Sequence, residues 1–178
     1  VGTTVALTRT FTTPDGTISF DYPDDWTVTA LSTSTAEIPA WSVNDEKGAR
    51  MFTLSIRPDG QIASPVTPQN PTTVGTLPDA LDAQGHPLAF GVGPFPGQSV
   101  GVNMANVYAV TSATGADRLF GYVSRGDGTM VSFEGTQEGG INDQVDMADE
   151  TQKFMQSDLF RARLLPVLES FTMKPVAG

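Results

Sequence analysis

The sequence predicts an α+β fold, a largely antiparallel β-sheet with a C-terminal helical region packed on it. Three observations predict it. Residues 17–22 and 50–57 alternate apolar and polar side chains, the period of a half-buried strand. Residues 102–111 and 129–136 repeat that alternation in the second half of the chain. Then Met147, Thr151, Phe154 and Met155 fall at i, i+4, i+7 and i+8, one face of a helix.

The elements follow in order. Val5, Leu7 and Phe11 alternate with polar residues, and Thr13-Pro14-Asp15-Gly16 makes a turn in which proline presets φ and glycine accepts a positive φ. Ile18, Phe20 and Tyr22 then return as the second strand of a hairpin. Pro23-Asp24-Asp25 turns the chain into Trp26, and residues 26–31 read as another short strand. Residues 36–43 and 50–57 form a second hairpin closed by Asn44-Asp45-Glu46-Lys47-Gly48. Eight of the 13 prolines crowd into residues 58–97. Proline removes ladder donors and blocks helix interiors, so this stretch is expected to be a long excursion with one helical turn at 78–84 and a short strand at 88–92. Residues 118–125 carry apolar groups on both faces, the pattern of a central strand, and Arg125-Gly126-Asp127-Gly128 turns into Thr129–Thr136. Asn142 or Asp143 is placed to cap the helix that follows, with Asp146, Asp149 and Glu150 suited to its positive end. Phe160, Leu164, Val167, Leu168 and Phe171 extend the helical spacing past a break at Pro166, and residues 170–174 close the chain as a short strand. Residues 1–178 read as one domain.

Composition excludes several chemistries. There is no cysteine, so no disulfide framework, zinc-thiolate site, iron–sulfur site or cysteine nucleophile exists. Twenty acidic and ten basic residues give a net charge of −10. Such a surface repels phosphate backbones, and the basic residues form no cluster, so nucleic acid is not an expected partner. No apolar run reaches the roughly 18–20 residues of a membrane helix. The start Val1-Gly2-Thr3-Thr4 reads as a mature chain whose leader has been removed. With abundant threonine and serine and only three lysines, this points to an exported bacterial protein, secreted or lipid-anchored through a removed N-terminal segment.

Two motifs carry a family resemblance. Ile18-Ser19-Phe20-Asp21-Tyr22-Pro23-Asp24-Asp25-Trp26 holds an F-x-Y-P-x-x-W pattern, and Leu164-Leu165-Pro166-Val167-Leu168-Glu169-Ser170-Phe171 is an amphipathic helix running into Ser-Phe. Together they resemble the PsbP-like superfamily, which groups PsbP proteins, the Ran-binding Mog protein and LpqN-type lipoproteins. The resemblance implies an α/β/α sandwich that binds partners, usually without catalysis. Trp26 would then be buried against the C-terminal helix near Leu164 or Leu168.

Catalytic signals are sparse. The single histidine, His86, sits in Gly85-His86-Pro87, and no Gly-x-Ser-x-Gly elbow accompanies it. Asp24-Asp25 and Asp45-Glu46 are ordinary turn acids. Asp143, Asp146 and Asp149 have oxygen ligands to offer calcium, yet their three-residue spacing matches a capped helix start better than a cage. No cofactor or metal site is therefore assigned. Gly93-Pro94-Phe95-Pro96-Gly97 offers an apolar residue on a stiff loop, and Phe90, Pro94, Phe95 and Pro96 are the candidate partner surface. Trp41 reads as packed on the sheet. The expected function is a non-catalytic extracytoplasmic binding or accessory domain, the soluble part of a bacterial lipoprotein, whose partner is a protein or a cell-envelope component. A carboxylate-based hydrolase of cell-envelope polymers and a calcium-stabilised structural module remain as alternatives.

Overall fold

A computed structural model of the chain describes residues 2–61, 68–95, 104–113, 120–138 and 146–176. The strands are β1 (Arg9–Thr12), β2 (Ile18–Tyr22), β3 (Thr27–Ala30), β4 (Ala40–Asn44), β5 (Arg50–Pro58), β6 (Thr72–Leu81), β7 (Pro87–Phe95), β8 (Ala105–Ser112), β9 (Val123–Ser124), β10 (Thr129–Glu138) and β11 (Thr172–Met173). Two short helices, α1 (Met147–Gln156) and α2 (Leu165–Glu169), flank a π-helical stretch, Leu159–Leu164.

Ten strands lie on one path, β1-β2-β11-β6-β7-β8-β10-β5-β4-β3, and β9 pairs with β10 beside it. All pairings are antiparallel except the single parallel bridge Met173↔Ala80 between β11 and β6. The sheet curls until it is nearly closed, like a barrel. Register shifts at Val43/Asn44, Thr73/Gly75 and Leu77/Leu81 insert extra residues that bend the strands. Where the two ends of the path approach, Phe11 of β1 packs on Trp41 of β4 with ring centroids 5.3 Å apart.

This corrects the predicted fold class. The chain is mostly β, with strand in 46% of the described residues, and it is not an α/β/α sandwich with a helical layer laid on a sheet. The helical segment belongs to the same hydrophobic cluster as the apolar face of the sheet: Phe160, Leu164, Val167, Leu168 and Phe171 are buried with Phe20, Phe52, Leu54, Leu88, Tyr108 and Phe133. It is also broken, which keeps it from acting as one long layer. Ser157 ends α1 by bonding back to the Phe154 carbonyl, and Pro166 falls at the start of α2.

The Pro-rich stretch is the main source of the difference. Residues 72–81 and 87–95 are two long strands, with no helical turn at 78–84. Four prolines of the described strands sit where the ladder asks for no N–H. Pro58 ends β5, Pro87 starts β7, and Pro78 lies among the three extra residues between Leu77 and Leu81. Pro94 is subtler. Its carbonyl accepts from Gln69 N on the β6 side, so its nitrogen points to that side too, where β6 pairing has stopped at Thr72↔Val92. Residues 118–125 are also not a central strand: Phe120 and Gly121 form a turn, only Val123–Ser124 pair, and residues 118 and 119 lie outside those described. Burial on both faces belongs to β7 and β8. On β8, Tyr108 and Val110 enter the main core, while Val107 and Ala109 meet Phe120 and Phe95 on the other face.

Trp26 is 1% exposed, as its motif suggested. The Arg163 guanidinium lies 5.6 Å from its ring centroid. Arg163 also pairs with Glu46, so it ties the β4–β5 turn to the helical segment. The N-terminal strand leader is held the same way, by Val5 N donating to the Ala162 carbonyl and Gly2 N to Asp158 Oδ1.

Phe133, 1% exposed, stacks on Phe20 and Phe52 with centroids 4.8 Å away and on Phe171 at 5.1 Å. Phe133→Ala should therefore destabilise the fold by about 3–5 kcal/mol, the cost of large aromatic truncations in a packed core. Chemical denaturation followed by tryptophan fluorescence measures this, and a loss below about 1 kcal/mol would show that the three stacks do not hold the curl.

Candidate functional site

The predicted partner surface is not a loop tip. Phe90 is 3% exposed and sits in the core, and Pro94 is buried within β7. Phe95 is half-buried against Val107, Ala109 and Phe120. Pro96 lies outside the described residues. The strand simply continues through Phe95, which spends these apolar groups on packing.

The aspartates also resolve into local roles. Asp146 caps α1, its Oδ1 accepting from Ala148 N at 2.9 Å and Asp149 N at 3.4 Å. Asp149 pairs with Lys153 at 3.0 Å. Asn142 and Asp143 lie outside the described residues. Among the described residues, no group of three or more carboxylates or histidines gathers to hold a metal. His86 is 57% exposed in the β6–β7 turn, with Nδ1 3.5 Å from Asp82 Oδ2. Asp82 is buried and folds the turn, accepting from Gln84 N and His86 N.

What the fold does assemble is a groove of about 260 Å³, with both polar and apolar groups in its lining, between the end of β7, the start of β6 and the first turns of α1. One wall is Gln69, Asn70, Thr72 and Pro94, and the other is Asp146, Met147, Thr151 and Gln152. The first wall is stiff for a reason visible in its residues. Pro68 and Pro71 bracket Gln69 and Asn70 and restrict their backbone. The pair of prolines presses onto Gly93, where an added Cβ would stand 2.6 Å from Pro68. Gln69 N bonds the Pro94 carbonyl at 2.8 Å, and Asn70 takes a left-handed φ of 42°, which asparagine tolerates. The amide side chains of Gln69 and Asn70 are thus exposed on a fixed frame. The second wall is anchored by Thr151, whose hydroxyl donates to Asn106 Oδ1 at 2.8 Å, both residues buried. Because Asp146 already satisfies the first free N–H groups of α1, the groove offers amides, hydroxyls and the Asp146 carboxylate and no anion site.

Sequence reasoning missed this groove. A Pro-Gln-Asn-Pro bracket was legible, but its partner wall lies about eighty residues away and is brought near only by β7 and β8.

A second cavity, about 190 Å³, opens where β5 and β10 part. Their ladder ends at Glu134↔Thr53, while β10 continues along β8 to Glu138. Tyr108 reaches into the split and donates to the Met51 carbonyl, and Gly135 leaves space that a Cβ would take from both groups. Arg50, Thr53, Glu134 and Thr136 line the opening. Burial pushes the Glu134 carboxyl above the usual glutamate range, with Arg57 only partly opposing it. Burial, then the Glu134 charge, raises the Tyr122 hydroxyl likewise. The lining holds one carboxylate, whereas glycoside hydrolysis needs two at a set separation.

A third charged cluster is structural. Buried Arg125 reaches Asp15 at 2.6 Å and joins the β1–β2 turn to the β9–β10 turn. Burial works against the Asp15 charge, but hydrogen bonds from Thr13, Arg125 and Thr17 outweigh it and hold the carboxyl far below its usual range.

No protein-family model, curated protein or solved structure matches this chain. The likeness to PsbP-like proteins rests on its two short motifs alone.

Glu134 gives a pH test. Its folded pKa is raised, so the fold binds its proton more tightly than the unfolded chain does. That contribution is complete below the unfolded value of about 4.3 and is lost as pH rises through the folded value. Glu134→Gln should therefore raise the thermal midpoint at pH 7–8 and leave it nearly unchanged below about pH 4. An equal gain at both pH values would mean that the carboxyl is not strained by burial.

Proposed function

We propose that this domain is a non-catalytic extracytoplasmic binding or accessory module that grips a segment of a partner protein in the groove between Gln69–Thr72 and α1. The observation that carries the reading is the pair of exposed amides, Gln69 and Asn70, held on a Pro-bracketed frame opposite Gln152. A rim ordered before binding loses little entropy when the partner arrives. Side-chain amides both donate and accept, which matches the alternating N–H and C=O groups of a polypeptide. Pro94 and Met147 add apolar contact. At about 260 Å³ the groove is smaller than the usual 300–1,000 Å³ of small-molecule pockets, which favours a chain crossing it over a molecule enclosed by it. The extracytoplasmic setting is proposed from the composition, with its abundant threonine and serine and its scarcity of lysine.

The double substitution Gln69→Ala with Gln152→Ala removes two exposed side chains and leaves Asn70 at its left-handed turn position, so folding should be unaffected. Each lost hydrogen bond is worth about 0.5–1.5 kcal/mol, so retention of an envelope partner on the immobilised domain should fall about tenfold. Unchanged retention would remove the groove from the reading. Turnover of cell-envelope polymer that disappears in Glu134→Gln would replace it with the hydrolase reading.

A further inference from the structure

The curled sheet has a bare edge beside the groove. On one side β6 pairs with β7 along its length, but on the other side its only backbone partner among the described residues is Met173 of β11, at Ala80. Among the described residues nothing pairs with the outward N–H and C=O groups of residues 72–77, Thr-Thr-Val-Gly-Thr-Leu, a stretch of roughly 20 Å. Thr72, Thr73, Val74 and Thr76 are exposed. Val74, at 37%, is the one large apolar side chain standing exposed among the described residues. Thr72 also lines the groove, so edge and groove are continuous.

Exposed edges are normally blunted by charges, prolines, short length or a cover, because they template pairing with other chains. The two terminal edges of this sheet follow that rule. β1 and β3 have four residues each, and Phe11 of β1 is covered by Trp41. Residues 72–77 contain no charge and no proline; Pro71 and Pro78 flank them, and their one guard is the extra residue Val74 between Thr73 and Gly75.

We propose that residues 72–77 of β6 accept an extended segment of a partner polypeptide as an added strand, and that this segment carries net positive charge. The inference rests on the binding reading above and names how the partner is held. Main-chain bonds along an edge supply affinity, and alternate side chains supply choice. Electrostatics selects the occupant. The chain carries −10, with Asp79 at one end of the edge and Asp146 in the groove at the other. A second copy would bring another −10 to the same place, whereas a basic segment is attracted.

The test is a titration of the full chain, labelled with nitrogen-15, with a short acetylated peptide that alternates lysine with threonine and valine. The amide signals of residues 72–77 should shift together with those of Gln69, Asn70 and Gln152. The same peptide methylated on alternate backbone nitrogens keeps its charge but loses edge donors, and it should bind at least tenfold more weakly. Val74→Lys with Thr76→Lys, both exposed positions, should weaken the unmodified peptide at least tenfold. A glutamate-for-lysine peptide should not bind. Shifts confined to the groove, or equal binding of the methylated peptide, would overturn strand addition and leave the groove reading standing. No shift in either region would end both. Dimerisation of the free chain through residues 72–77 on concentration would overturn the proposal by showing that the occupant is a second copy.

Discussion

The fold depends on Phe133. It stands on β10, in the middle of the strand order, and touches rings from three other parts of the chain. Phe20 comes from β2 near one end of the path, Phe52 from β5 near the other, and Phe171 from the end of the helical segment. A flat ten-strand sheet would hold β2 and β10 five positions apart at about 4.8 Å per strand, far beyond ring contact. The stack of Phe20 on Phe133 thus requires the curl. Burying each ring contributes roughly 1.5–3 kcal/mol, and each aromatic pair about 0.5–1.5 more. From Phe52 the contacts run on through Tyr108 and Phe154 to Phe160, so the helical segment is fastened along the same line of rings.

The strands were largely legible because their signal is local. Alternation at 17–22, 50–57 and 129–136 reports one wet and one dry face, and those strands are present. The burial of Trp26 was legible from the F-x-Y-P-x-x-W motif that it closes. Of the β6–β7 hairpin only the strand at 88–92, the middle of β7, was legible. The prolines read as breakers, and only the tertiary positions of Pro58, Pro78, Pro87 and Pro94, each at an end or a bulge, reveal that they break nothing. Once those two strands are placed, the sheet curls, and the helical region is drawn into the core that the curl encloses. One misread segment therefore changed the fold class.

The same distinction separates the candidate sites. Phe90 and Pro94 looked like partner anchors because a Gly-Pro-rich string resembles a loop, yet they lie on a strand buried on both faces. Gln69 and Asn70 carried no periodicity at all. Their value comes from Gly93 beneath Pro68, from the Pro94 carbonyl, and from α1 across the groove, all of them remote in sequence. Glu134 looked like one more polar residue in an alternating strand, and only the parting of β5 and β10 shows why its charge is costly.

Charge also bears on how an open strand edge meets other chains. Edge protection is usually local, through a lysine or a proline on the strand itself. Here residues 72–77 have neither charge nor proline and only the bulge at Val74, but the whole chain carries twice as many acidic as basic residues. A surplus of ten negative charges opposes the approach of a second copy over distances near the Debye length of about 8 Å at physiological ionic strength, before backbone groups can meet. The same field favours basic chains. Like-charge repulsion therefore does globally what a gatekeeper residue does locally, and it discriminates among partners where a gatekeeper would exclude them all. High salt screens this field and should weaken both effects together, because they share one origin.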